Sequence, residues 1–188
     1  RKYPVKLISN KKNLGIAGSR NVGLEHANGE FLVCFDDDCV ADCDWLKQLG
    51  LAYSASDVMG VSGFIARSPG MTLTDNYCLD SGYGNPTPLI FASGNNIFRR
   101  FYNYAIFFFT NPNGNYQDGD EVLQFPGLTA SFRKECLQEI DGWDNAYKYG
   151  AEDDDVCNRL KTTYPKYKFV VMTSAIIYHM QQIGRAHV

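Results

Sequence analysis

The sequence predicts an α/β domain, and three features carry that expectation. Apolar runs of strand length alternate with stretches of helix length. One run, Phe31 through Phe35, is apolar at every position, as expected of a central strand covered on both faces. It stops abruptly at Asp36, Asp37 and Asp38, and in open α/β sheets the crevice beyond the carboxyl ends of the strands is where ligands bind. With 188 residues and 45% hydrophobic composition, the chain can bury one sizeable core.

Residues 5–9 read as the first strand. Residues 16–27 read as a helix closed by Asn28 and Gly29, with Gly29 in the left-handed position that often follows a helix. After the 31–35 strand come a helix over about 44–55 and a strand over about 58–66. Residues 67–126, rich in Gly, Pro, Asn and aromatic residues without a clean period, read as a long excursion. Order returns with a strand at 129–132, a helix at 133–140, a turn at 141–144, an acidic helix from 152, and two strands near 168–172 and 175–178. There is no internal repeat and no interdomain linker.

Glu152, Asp153, Asp154 and Asp155 open the acidic helix. Crowded carboxylates repel and lose hydration when a core forms around them, so they are kept together mainly where a cation, a proton or a polar ligand is shared. Complementing the helix dipole explains one or two acids well and four in a row poorly. On a helical period Asp153, Val156, Cys157 and Leu160 share one face, and Arg159 stands four residues after Asp155, where it can neutralise it. Asp153 is therefore expected to be the unpaired acid nearest the interior, with Glu152 and Asp154 reaching a ligand or solvent.

A net charge of −3 with no long Lys/Arg block excludes a nucleic-acid footprint. The longest apolar and aromatic run, residues 104–109, is too short to span a membrane. Cys34, Cys39 and Cys43 form no C-x-x-C pair, so the six cysteines read as reduced, packed thiols in a reducing, cytoplasmic compartment rather than as a zinc site. Residues 183–188 resemble a translated sequencing-adapter remnant, and His187 carries no weight.

Several blocks in order resemble family 2 glycosyltransferases of the GT-A fold: Asn13 to Gly23 with Arg20 and Asn21, the strand into Asp36–Asp38, and Phe132 through Gly142, Trp143 and Asp144 to Glu152 and Asp153. The segment 150–160 also resembles the acidic motif of β-1,4-galactosyltransferases and chondroitin-type polymerases. The resemblance implies a three-layer α/β/α domain with a mixed central sheet. It further implies that strands holding the nucleotide base precede residue 1, so that 1–182 is a partial, N-terminally truncated domain.

The same resemblance implies roles. Asp36 and Asp38 match the Asp-x-Asp motif, Asp38 as the direct metal ligand and Asp36 nearer the ribose or a metal-bound water, with Asp37 beside the nucleotide and pointing across the strand. His179 matches the histidine that completes the metal site, although Ile176 stands where related galactosyltransferases place a methionine. Arg20 and Asn21 are expected near the nucleotide or diphosphate, Glu152 on donor-sugar hydroxyls, and Asp154 and Trp143 on the acceptor. Asp153 matches the general base of inverting members, taking the proton from an acceptor hydroxyl. Phe98, Phe101, Tyr102, Tyr104 and Phe107 to Phe109 could add a sugar-stacking wall, core packing being the commoner use of such rings.

The implied activity is inverting, non-processive transfer of a sugar from a nucleotide-diphosphate donor, a UDP-sugar first, to a glycan or glycoconjugate hydroxyl. The cofactor would be Mn²⁺ or Mg²⁺, and the location the cytoplasm or the inner face of a membrane reached through segments outside this window. Two rivals stand beside it: a noncatalytic carbohydrate-binding relative, and a metal-dependent nucleotidyltransferase or phosphohydrolase.

Overall fold

The computed structural model describes residues 4–66, 87–88, 116–125, 127–148 and 150–179. In chain order the elements are α1 (Gly15–His26), β1 (Phe31–Val33), β2 (Cys39–Ala41), α2 (Trp45–Ala52), β3 (Val58–Ala66), β4 (Thr87–Pro88) and β5 (Asp120–Gln124). A single 3₁₀ turn (Gly127–Thr129) then leads into β6 (Ala130–Arg133), α3 (Lys134–Glu139), α4 (Glu152–Thr163) and β7 (Lys168–His179). The aromatic run 98–109 and the tail 183–188 lie outside the described residues.

The strands form one mixed sheet in the order β1-β6-β3-β7-β5-β4, with β2 paired to the far end of β7. β3 and β7 are parallel, and the other pairings are antiparallel. Alternation along the strands sends side chains to opposite faces, and two cores result. Met59, Val122, Phe132, Phe169 and Val171 pack with Ala17 and Leu24 of α1, Leu137 of α3, and Val156 and Leu160 of α4. Val61, Ile65, Val170 and Ile177 pack with Trp45 and Leu49 of α2. Helices thus cover both faces, as the expected three-layer architecture requires.

Several expectations need correction. Residues 4–10 form no strand, and Leu7 and Ile8 are exposed; apolar alternation makes a strand only where a ladder accepts it. The apolar run at 31–35 yields a three-residue strand at the end of the strand order rather than in its centre, half-buried throughout, with Phe35 42% exposed. α1 ends with Ala27 in extended backbone, and Gly29 is not among the residues with positive φ. The two strands expected after the acidic helix are one, β7. Its polar break at Thr173 and Ser174 falls where the register against β3 shifts, and Asp118 Oδ1 accepts hydrogen bonds from Thr173 Oγ1 (2.8 Å) and Ser174 N (2.9 Å) there. The polar dipeptide is thus an irregularity satisfied by a side chain, not an interruption.

Candidate functional site

α4 starts from strained backbone. Gly150 and Ala151 both have positive φ, +86° and +65°, a region costly for alanine because its Cβ crowds the carbonyl. Val156, Cys157 and Leu160 pin the apolar face of the helix into the core, each of the two aliphatic side chains gaining about 1.5–3 kcal/mol. The first turn is thereby held where Glu152 and Asp153 meet α1.

Arg20, from the middle of α1, donates through Nη1 to Glu152 Oε1 (3.0 Å) and to Asp153 Oδ1. The Gly127 amide donates to Asp153 Oδ2 at 2.7 Å. Both oxygens of Asp153 are therefore engaged, which corrects the expectation of an unpaired acid. The interior acid is Glu152 instead, 3% exposed, and its Oε2 has no hydrogen-bond partner among the described residues. Burial and then the neighbouring Asp153 raise the Glu152 pKa, and partial loss of hydration followed by Asp153 raises that of Asp154. Burial opposes the Arg20 charge, but Asp153, Cys34 and Glu152 outweigh it and raise the guanidinium. Arg159 neutralises Asp155 at 2.7 Å as expected. Asp154 is exposed and has no ion pair among the described residues.

Gly127 was not foreseen. A Cβ there would overlap Asp153 Oδ1 and both terminal nitrogens of Arg20, so the absence of a side chain is what admits the ion pair. No periodic signal in the sequence marks this; the only hint is the Pro126-Gly127 pair.

Asn21 and Trp143 serve each other. Asn21 Nδ2 donates to Trp143 O (2.7 Å), and Trp143 N donates to Asn21 Oδ1 (2.8 Å). The indole is 2% exposed, edge-on to Phe132, with the Arg20 guanidinium 5.8 Å from its centre. Trp143 is thus a buried support for Arg20, not an open platform for a sugar ring, and Asn21 fastens the 142–145 turn with both ends of its amide.

Asp36, Asp37 and Asp38 lie between β1 and β2, and the Cys39 amide closes the turn onto Asp36 O at 3.3 Å. Antiparallel pairing sets Cys39 opposite His179, which brings His179 Nε2 to 3.2 Å from Asp38 Oδ1. The third donor in this cluster is Cys39 rather than Asp36: ligand atoms of Asp38, Cys39 and His179 all lie within 4.8 Å of one another. Cys39 belongs to no paired-cysteine spacing, so its place beside Asp38 is the one sequence signal that marks it. Burial, with Asp36 and Asp38 beside it, pushes the Cys39 thiol up to about 12. Asp36 is half-buried and Asp37 exposed. Burial raises the Asp36 carboxyl, with Arg20 and His179 opposing the rise and Asp38 and Asp153 adding to it. The thiols of Cys34, Cys39, Cys43, Cys136 and Cys157 are free, and Cys43 is exposed rather than packed. No helix among the described residues is long and apolar enough to cross a membrane.

The sequence and the fold have known counterparts. The model of glycosyl transferase family 2 matches residues 1–140, and that of the N-terminal domain of galactosyltransferase matches residues 117–183. No curated protein matches the sequence. Among solved structures the fold is similar to the mannosyltransferase PcManGT from Pyrobaculum calidifontis in complex with GDP-Man and Mn²⁺, at TM-score 0.58 and 19% identity over 95% of this chain and 40% of that one. GalNAc-T7 with UDP, GalNAc and Mn²⁺ gives TM-score 0.61 and 12% identity over 93% of this chain and 32% of that one. S. aureus TarS 1-349 with UDP-GlcNAc gives 0.55 and 17% over 96% and 44%. The chain therefore spans less than half the length of these proteins, which share its GT-A fold. The family match covers 140 of the 188 residues, and with the mixed sheet and the aspartate turn it places this chain in glycosyl transferase family 2.

Proposed function

We propose that the chain carries the catalytic centre of an inverting, non-processive glycosyltransferase that moves a sugar from a nucleotide-diphosphate donor, a UDP-sugar first, to a hydroxyl of a glycan or glycoconjugate. The observation that carries this reading is the strand pairing that joins the two ends: the aspartate turn leaves the β1 strand, which pairs with β6 and is held on by Cys34 N donating to Ala130 O (2.8 Å), and the turn that leads into β6 donates the Gly127 amide to Asp153 (2.7 Å). The aspartate turn and the acidic helix therefore belong to one site. The nucleotides, nucleotide sugars and Mn²⁺ in the related structures support the donor class and the cofactor.

The carboxylate of Asp38 and the imidazole of His179 suit Mn²⁺ or Mg²⁺ and would hold it. When bound, the cation supplies positive charge against the leaving diphosphate. Asp36 and Asp37 would face the nucleotide. Asp153, oriented by Arg20 and the Gly127 amide, keeps further lone pairs for an acceptor hydroxyl and would take its proton as the oxygen attacks the anomeric carbon from the face opposite the diphosphate. Glu152 holds Arg20 in place, and exposed Asp154 is free to bind acceptor hydroxyls. The work would be done in the cytoplasm or at a membrane's inner face, in glycan or polysaccharide synthesis.

The test is a transfer assay over a panel of nucleotide sugars, with and without chelator, on the full-length protein and its Asp38→Ala variant. Cation-dependent transfer with inverted anomeric configuration, lost in Asp38→Ala, is expected. Full activity in excess chelator overturns the cation's role, and retained configuration overturns the assignment of Asp153. A noncatalytic sugar-binding protein is the second reading, favoured by the engagement of both Asp153 oxygens. Donor binding without transfer or hydrolysis would establish it.

A further inference from the structure

We infer that Cys39 is a ligand at the Asp38–His179 site, giving this protein a mixed carboxylate, imidazole and thiolate centre that takes thiophilic dications of the Zn²⁺, Co²⁺ and Cd²⁺ class more tightly than Mn²⁺ or Mg²⁺. The inference rests on the reading of Asp38 and His179 as a cation site, and not on glycosyl transfer.

Geometry carries it. Cys39 and His179 are directly opposite in the antiparallel β2–β7 pair, so their side chains leave the same face of the sheet. Asp38 precedes Cys39 in the turn and reaches the same point. Cys39 Sγ lies 3.9 Å from Asp38 Oδ1, and His179 Nε2 lies 3.2 Å from that same oxygen. Donors sharing one tetrahedral cation, with bonds of about 2.0–2.3 Å, stand roughly 3.3–3.8 Å apart, so the two distances bracket the expected spacing. Among the described residues, no other three His, Cys, Asp or Glu side chains bring their donor atoms within 4.8 Å of one another. Cys39 is buried while Asp38 is exposed, so a cation would enter past the carboxylate and meet the sulfur at the floor.

Sulfur widens the selectivity. Oxygen and nitrogen donors alone already rank Co²⁺ and Zn²⁺ above Mn²⁺, and a thiolate enlarges that gap and adds the soft ion Cd²⁺. On binding, the S–H bond breaks, the proton leaves to water, and the sulfur electron pair forms the bond to the cation. The competing account is a thiol that only donates a weak hydrogen bond to Asp38.

Co²⁺ is the probe, because a thiolate–Co²⁺ bond produces an intense charge-transfer band in the near ultraviolet that oxygen and nitrogen donors do not. The unaltered chain should develop this band and saturate at one Co²⁺ per chain. Cys39→Ser and Cys39→Ala, checked for folding by circular dichroism, should lose the band and bind Co²⁺ at least about tenfold more weakly. Their Mn²⁺ affinity should change by less than about threefold. Cadmium NMR on the unaltered chain reads sulfur ligation directly, so the inference is testable even where a variant fails to fold. Bound Co²⁺ without the band, or a band that persists in Cys39→Ser, overturns the Cys39 thiolate while leaving the Asp38–His179 reading standing, and a band undiminished in His179→Ala overturns the shared three-ligand centre. Absence of any Co²⁺ or Mn²⁺ binding overturns both.

Discussion

The two ends of the site are built differently. At the acidic helix, Arg20, Glu152, Asp153 and the Gly127 amide interlock, and Asn21 and buried Trp143 back them. At the aspartate turn, a half-exposed Asp38 meets His179 at 3.2 Å, with Asp37 in solvent. The helix end is overdetermined because it sits on the core, where a displaced charge is costly. The turn end is adjustable because its charges keep water until a ligand replaces it. On the proposed reading, a rigid base would stand beside an adaptable cation-and-nucleotide seat, the division of labour that suits attack by a positioned hydroxyl on a sugar whose diphosphate is leaving.

Substitutions should separate the two ends. The largest effect is expected at Asp153, the proposed base: Asp153→Asn keeps size but, with an NH2 donor in place of one oxygen, accepts from only one of Arg20 and the Gly127 amide and no longer takes a proton, so transfer should fall by about 10²–10⁴ with donor affinity retained. A parallel loss of donor affinity by calorimetry would move Asp153 to the donor side. Next comes stability. Arg20→Met strands Glu152 and Asp153 without their counter-charge and should cost about 3 kcal/mol in chemical unfolding, whereas Asp38→Ala at the exposed turn should cost less than about 1 kcal/mol while abolishing cation-dependent transfer. Equal losses would erase the contrast between the ends.

Gly127→Ala is a subtler probe of the same end. Its methyl group must displace Asp153 or Arg20, a strain worth about 1–3 kcal/mol, and turnover should fall more than donor binding. Smallest is a pH effect. The Glu152 pKa is raised in the folded state by burial and by Asp153, so the native protein binds this proton more tightly than the unfolded chain does. Its contribution to stability is therefore lost as pH climbs from the ordinary glutamate value through the raised one. Glu152→Gln should remove that slope and gain on the unaltered protein with rising pH, as measured by denaturant midpoints from about pH 4 to pH 8. A constant difference across that range would mean Glu152 does not titrate in it.

What the sequence disclosed follows from where each signal resides. β3 falls on residues 58–66 as read, because nine residues with few polar interruptions are legible by themselves. The apolar face of α4 and the Arg159–Asp155 pair follow from helical spacing alone. Residues 5–9 and 31–35 misled because strand order depends on partners, and β1 pairs with β6 a hundred residues away. Asp153 and Trp143 misled for the same reason: their surroundings come from Arg20 and Asn21, 133 and 122 positions distant. Family resemblance supplied the list of site residues, but only the fold could show that Arg20 binds the acids and that Cys39 lies beside His179.

The 133-residue separation between Arg20 and Asp153 also has a consequence in time. At synthesis rates of about 5–20 residues per second, the two are made roughly 7–27 s apart. Through that interval α1 presents its arginine without the acids that will hold it, and β1 awaits its only described strand partner, β6. This end of the site is thus complete only after β6 and α4 have both been made, and closing so long a loop weighs on rate more than on final stability. A substitution that slows docking of α4 without touching the finished geometry should therefore lower the yield of active molecules and leave the activity of each folded one unchanged.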